Sequence, residues 1–200
     1  MANLQTQGSG LSASGIMGQT PATSGQGQYW IDAADAVAIY NGALVRVTAG
    51  YIVTAQAAVT NPSQGVFNGC FYNDATTLKP TWVNYYPGGI TPANSEDIQA
   101  FVLDNPFQIY NVVTDALVAA NIPAAHAKIM ESYGMHVSAT SGTASGGRSS
   151  SSLSVSTGSH ATANQFRFLG SSEDPSNSDL TAAWATVRVV QSLNDLVQNT

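Results

Sequence analysis

The stretch Glu96–Val113 constrains the fold more than any other part of the chain. It reads Glu-Asp-Ile-Gln-Ala-Phe-Val-Leu-Asp-Asn-Pro-Phe-Gln-Ile-Tyr-Asn-Val-Val, the densest apolar and β-branched segment in a sequence otherwise rich in small polar residues. Ile98–Leu103 reads as one strand. Asp104-Asn105-Pro106 is a turn or bulge signal, because Pro106 locks φ and has no N–H to donate. Phe107–Val113 then alternates. Phe107, Ile109, Asn111 and Val113 share one face, and Gln108, Tyr110 and Val112 the other. The rest of the chain is expected to pack against these strands.

Turn chemistry divides what surrounds them into similarly short pieces. Asn41-Gly42 precedes the strand Ala43–Thr48, and Ala49-Gly50 returns the chain into Tyr51–Ala55, the clearest hairpin in the sequence. Val66–Tyr72, Lys79–Tyr86, Leu153–Ser156, Ala163–Leu169 and Ala183–Val190 read as further strands. After Val113 the period changes. Thr114 is placed to cap a short helix carrying Leu117, Val118 and Ile122, which Pro123 interrupts; a turn and then a strand through Ile129–Val137 are expected. Residues 138–152 are Ser, Thr, Gly and Ala around Arg148 and read as a long loop. The expected class is mainly β: a single β-barrel or β-sandwich domain with one or two short helices.

Residues 1–28 carry only Leu4, Leu11, Ile16 and Met17 as sizeable apolar side chains and sustain no period. Such a segment buries too little surface to offset its ordering entropy by itself. The chain therefore divides into a flexible, extended N-terminal arm, 1–28, and a β-rich globular domain, 29–200.

Charge narrows the partners. Only 9% of residues are charged against 44% hydrophobic, and the net charge is −6, whereas a soluble domain usually carries about 25% charged residues. Amides and hydroxyls fill the gap, and these hydrogen-bond across protein interfaces without the cost of burying a charge. The six basic residues are scattered singly, so no nucleic-acid partner is expected. No apolar run approaches a membrane span and no ordinary leader is present, so the expectation is no membrane partner and synthesis in a cytoplasm.

No catalytic constellation emerges. There is no phosphate-loop or nucleophile-elbow motif. His126, His136 and His160 lack ligand spacing. Cys70, the single cysteine, sits among Phe67, Phe71 and Tyr72 and reads as a small buried hydrophobe. The acidic run Glu173–Asp179 does not match a calcium loop and reads as a solvated turn. Trp82, Tyr85 and Tyr86 beside Pro87 are candidates for an exposed aromatic platform, or equally for core and rim aromatics. The expectation is no enzyme, with no catalytic, cofactor-binding or metal-binding residues and no cofactor.

Several blocks, taken in order, carry a family resemblance. Ala100–Tyr110 (Ala-Phe-Val-Leu-Asp-Asn-Pro-Phe-Gln-Ile-Tyr) resembles a hydrophobic–Asp–Pro–hydrophobic segment of small structural proteins of tailed bacteriophages. Gly147-Arg148-Ser149 with Leu153–Thr157, then Phe166–Gly170, Pro175-Ser176-Asn177 and Trp184–Val190, resemble the blocks that follow, and Asn41–Val45 fits the early hairpin. The resemblance spans roughly residues 30–195 and is to capsid decoration, or cement, proteins. It implies a structural virion protein on the exterior of an icosahedral capsid, bound at junctions between major capsid protein subunits, stabilising the head against internal DNA pressure. The implied partners are the phage major capsid protein and neighbouring copies of the chain, with a trimer preferred over a dimer. An arm laid across a neighbour adds strand pairing and buries its apolar residues. The protein-interaction candidates are therefore Leu4, Leu11, Ile16 and Met17 of the arm, Tyr29 and Trp30 at the start of the body, and Arg148. The alternative expectation is a phage tail, spike or surface module that recognises host glycan through the Trp82–Tyr86 aromatics.

Overall fold

A computed structural model describes residues 3–18, 25–55, 61–136, 142–143 and 146–197. The chain is mainly β, built on two antiparallel sheets. The first sheet takes six strands from the front half: β2 (Gly27–Ile31), β3 (Leu44–Thr48), β4 (Tyr51–Thr54), β5 (Gly65–Asn73), β6 (Pro80–Val83) and β7 (Ile98–Leu103). Their order is β2-β7-β5-β3-β4, with β6 paired to the far end of the long β5. The second sheet takes β8 (Gln108–Val113), β9 (Ser132–His136), β12 (Ser152–Ser159), β13 (Phe166–Ser171) and β14 (Thr186–Gln191), and is completed by β1 (Ser12–Ile16) from the other end of the chain. Its order is β1-β8-β14-β13-β9-β12. A two-strand ribbon of β10 (Gly142–Thr143) and β11 (Arg148–Ser149) lies in the polar stretch between β9 and β12, whose residues 137–141 and 144–145 fall outside the described part.

Alternation decides which residues face inward. In β7, Ile98, Ala100 and Val102 are buried while Gln99, Phe101 and Leu103 are only half-buried. With Ile31, Val45, Ile52, Phe67 and Cys70 they form one core, plugged by Ile39 and Tyr86. The edge strands β2 and β4 approach each other, so the sheet curls around this core without closing into a barrel. A second core joins the sheets. Tyr110, Val112, Tyr133, Met135, Phe166, Phe168, Val187 and Val189 meet Leu44, Ala55 and Val66 there. Strands β3 and β5 thus serve both cores, with Leu44 and Val66 turned to one and Val45 and Phe67 to the other. In β8 the core takes the set headed by Gln108, leaving Phe107 exposed. Asp104–Phe107 carries the chain from one sheet to the other, and Tyr110 Oη ties back across that turn by donating to the Leu103 carbonyl at 2.9 Å.

Two expectations need correction. The only α-helix among the described residues is α1 (Ile122–His126), which contains Pro123 instead of ending before it. Proline is tolerated in a first turn, where its missing N–H is unpaired anyway. Asn121 caps that turn by accepting from the Ala124 N–H at 2.9 Å, so the cap is Asn121 and not Thr114, which is buried. The second correction concerns the arm. Residues 3–18 lie on the chain's own body, and the division at residue 28 does not separate an arm from a domain. Asn3 Nδ2 donates to the Asp179 and Ala183 carbonyls, and Gln5 N to Asn177 Oδ1 at 2.8 Å. Gly10 N and Leu11 N bond the Ser151 and Gly42 carbonyls, Leu11 is buried in the second core, and β1 pairs with β8. Burying Leu11 contributes about 2 kcal/mol. Backbone hydrogen bonds, each contributing about 1 kcal/mol net, add to this. A reading of side-chain hydrophobicity does not register them.

Candidate functional site

The outward face of the first sheet carries two exposed tryptophans in one cross-strand row. Register places Trp30 opposite Gln99, Gln99 opposite Phe71, and Phe71 opposite Trp82. Directly opposed residues share a face, so these four form a row across β2, β7, β5 and β6, about 14 Å from end to end at about 4.8 Å per strand. Phe101 stands in the next row, opposite Gln28 and Gly69. Trp30 is 51% exposed and Trp82 52%, while Phe71 and Phe101 are half-buried. The Trp82 and Phe101 rings pack with centroids 4.9 Å apart and planes tilted by 56°.

Gly69 makes room for this packing. It lies at a bulge in β5 with φ +131°, and a Cβ there would fall 2.6 Å from Cζ2 of Trp82. The indole therefore rests over bare backbone, and any larger residue displaces it.

At the β2 end the row runs into a groove of about 520 Å³, where the two edges of the curled sheet meet without pairing. Its lining is Trp30, the Ala49-Gly50 turn, Tyr51, Glu96 and Asp97. Tyr51 Oη donates to Asp97 Oδ2 at 3.0 Å, and this bond to a carboxylate raises the phenol pKa above its ordinary value. A smaller depression of about 130 Å³ continues past Trp30 toward Phe71 and Gln99 and shares the same two carboxylates. The only ion pair among the described residues is Lys128–Glu131, far along the sequence, so neither Glu96 nor Asp97 is neutralised by a cation.

The residues proposed from sequence separate into two groups. Leu4, Met17 and Trp30 are exposed, and Ile16 is half-buried on β1. The others make contacts within the chain. Leu11 is buried. Tyr29 donates to Asp104 Oδ2 at 2.7 Å and accepts from Gln64 Nε2 at 2.6 Å. Arg148 is exposed and donates to the Ser9 carbonyl at 3.3 Å. Desolvation and the Asp104 carboxylate together push the Tyr29 phenol pKa up. Of the aromatic trio, Trp82 is exposed, Tyr85 is half-buried and stacks on Tyr40 at 5.6 Å, and Tyr86 is fully buried in the first core. The three do not form one platform. Phe71, Phe101, Tyr51, Glu96 and Asp97 escaped the sequence reading as site residues. The alternation of Ile98, Ala100 and Val102 implies that Gln99 and Phe101 point outward, but which strands flank them is a matter of topology.

Cys70 is buried, and desolvation pushes its thiol up to about 12. In the acidic loop, Asp174 accepts from Asn177 Nδ2 and the Ser176 N–H, and Asp179 from Thr181 Oγ1 and N–H. Among the described residues no three His, Cys, Asp or Glu side chains are grouped to hold a metal. The chain matches no protein-family model, no curated protein and no solved structure.

Proposed function

We propose that this chain is a structural virion protein that binds the outer surface of a tailed-phage capsid, at junctions between major capsid protein subunits, and stabilises the shell. The observation that carries the docking part is the open row Trp30–Gln99–Phe71–Trp82. Half-exposed tryptophans set among amides, with few charges, are the composition of a protein-binding patch. The phage part rests on the resemblance of residues 30–195, whose block Ala100–Tyr110 forms the later part of β7, the turn between the sheets and the start of β8. A low density of charge suits a chain whose surface is covered by other copies and by coat protein. Many weak contacts repeated over a symmetric shell add through multivalency.

The test is cryo-electron microscopy of particles that carry the chain, combined with rebinding of purified protein to stripped heads. Saturable binding at fixed stoichiometry is expected. Changing Trp30 and Trp82 together to Ala should weaken it about tenfold or more while circular dichroism stays unchanged. Absence of the chain from the shell, or equal binding by the double variant, would sink the proposal.

A second reading, a module recognising host glycan, draws on the exposed Trp82 ring, since aromatic faces stack on sugars. The burial of Tyr86 removes one of the three aromatics on which that reading was based. Hits on a glycan array that disappear in Trp82→Ala would favour it over capsid docking.

A further inference from the structure

We propose that the groove between Trp30, Tyr51, Glu96 and Asp97 receives an arginine side chain from the protein on which the chain docks. The inference rests on the docking reading only in naming the bearer of that arginine.

Shape and charge point to this occupant. The groove opens at the seam between β2 and β4, and its small residues, Ala49 and Gly50, leave the space beside Trp30 unfilled. One wall is the indole of Trp30, about half of whose surface is free. Glu96 and Asp97 line the same space, and Asp32 lies near enough to act on the Tyr51 phenol. No lysine or arginine lines the groove. The Tyr51 bond holds one oxygen of Asp97 in place, while Glu96 makes no side-chain hydrogen bond among the described residues. Carboxylates beside an open aromatic face form a receptor for a cation that stacks and donates hydrogen bonds together.

The planar guanidinium meets both demands, whereas an ammonium is a compact point charge that does not stack. A neutral sugar would cover the indole and leave the carboxylates uncompensated. A calcium ion would be drawn to the carboxylates but would leave the indole face uncovered, and among the described residues no third acidic, His or Cys side chain joins them as a metal ligand. The net charge of −6 adds long-range attraction for a basic partner segment.

Acetyl-Gly-Arg-Gly-amide and its citrulline isostere, which keeps the shape and loses the charge, are the probes. They are titrated into the full chain while the Trp30 indole N–H resonance, assigned by its loss in Trp30→Phe, is followed. The arginine peptide should shift that resonance with an apparent affinity about fivefold or more above the citrulline peptide. The difference should shrink with added salt and vanish in the folded Glu96→Gln/Asp97→Asn variant. Equal responses to both peptides, no response to either, or a stronger response to a neutral oligosaccharide would each overturn the proposal. Head binding separates the two readings. If Glu96→Gln/Asp97→Asn binds heads as the parent does, the arginine contact is wrong and capsid docking stands. If the parent does not bind heads but the arginine peptide binds selectively, capsid docking is wrong and the arginine receptor stands.

Discussion

Residues 3–18 and the Trp30–Trp82 face depart from composition in opposite directions. The first carries four sizeable apolar side chains, only one of them buried, and yet lies along the body of the protein, held by backbone bonds and that leucine. The second carries two tryptophans and two phenylalanines and yet faces outward. Composition ranks them the wrong way round, because it counts side-chain transfer energy alone. Backbone hydrogen bonding holds the polar segment, and strand alternation exposes the aromatic one. The row crosses β2, β7, β5 and β6 and faces outward where Ile98, Ala100 and Val102 of β7 face inward.

Removing residues 1–18 is the strongest way to break this contrast. It strips β1 from the edge of β8 and opens the second core at Leu11, so the melting temperature should drop by about 10 °C or more. An unchanged melting temperature would show that the segment is a dispensable arm after all. Next in size is Leu11→Ala. Losing a buried leucine costs about 2–4 kcal/mol, or about 5–12 °C for a chain of this size, and calorimetry checks it.

Alkali should act on the body. Desolvation raises the phenol pKa of Tyr110 and of Tyr133, where the Glu131 carboxylate 2.6 Å away adds to it, and Tyr29 is raised likewise. Each fold-favoured neutral phenol contributes stability that is complete below the ordinary tyrosine value of about 10 and is lost as pH rises above it. Thermal melts should therefore begin to fall above about pH 9, where the buried Cys70 thiol adds its own loss, and fall more steeply beyond about pH 10, with a shallower fall in Tyr133→Phe. A curve that stays flat through that rise would contradict the burial of these hydroxyls.

Gly69→Ala sharpens the exposed side of the comparison. The added methyl displaces the Trp82 indole and cannot easily adopt φ +131°, costing about 1–3 kcal/mol. Tryptophan emission should move to the red as Trp82 leaves Phe101. The smallest effect concerns the attachment of the first residues. Thr181 draws the Asp179 pKa down to about 2, and Asn177 with Ser176 lowers that of Asp174. That contribution is present above about pH 4 and is lost as pH falls toward 2. Because Asn3 and Gln5 dock on this loop, hydrogen-exchange protection factors at residues 3–10 should fall in acid before those in the two cores do.

The class of fold was legible because alternation and turn residues are local. Ile98–Leu103 is a strand with the bounds its pattern indicates, the Ala49-Gly50 hairpin forms, and Asp104-Asn105-Pro106 turns the chain between sheets. Pro123 was misread because a proline that ends a helix and one that starts a helix look alike until Asn121 is seen to cap. Of the candidate site, Trp30 and Trp82 were legible as candidates, and both are exposed. Glu96 and Asp97 were not, because they acquire meaning only beside Trp30 and Tyr51, which are distant in sequence.

By itself the sequence determined that the chain is a charge-poor β protein with two alternating strands around Asp104-Asn105-Pro106, since these follow from residue type and spacing within a few positions. Only the tertiary structure decided that the polar N-terminus supplies an edge strand to the far sheet, that the front sheet curls until β2 and β4 form a groove, and that Trp30 and Trp82 lie in one row. Those outcomes depend on which strands pair. Pairing is set by the summed burial of two cores and by backbone bonds between residues far apart in the chain, which no local pattern encodes.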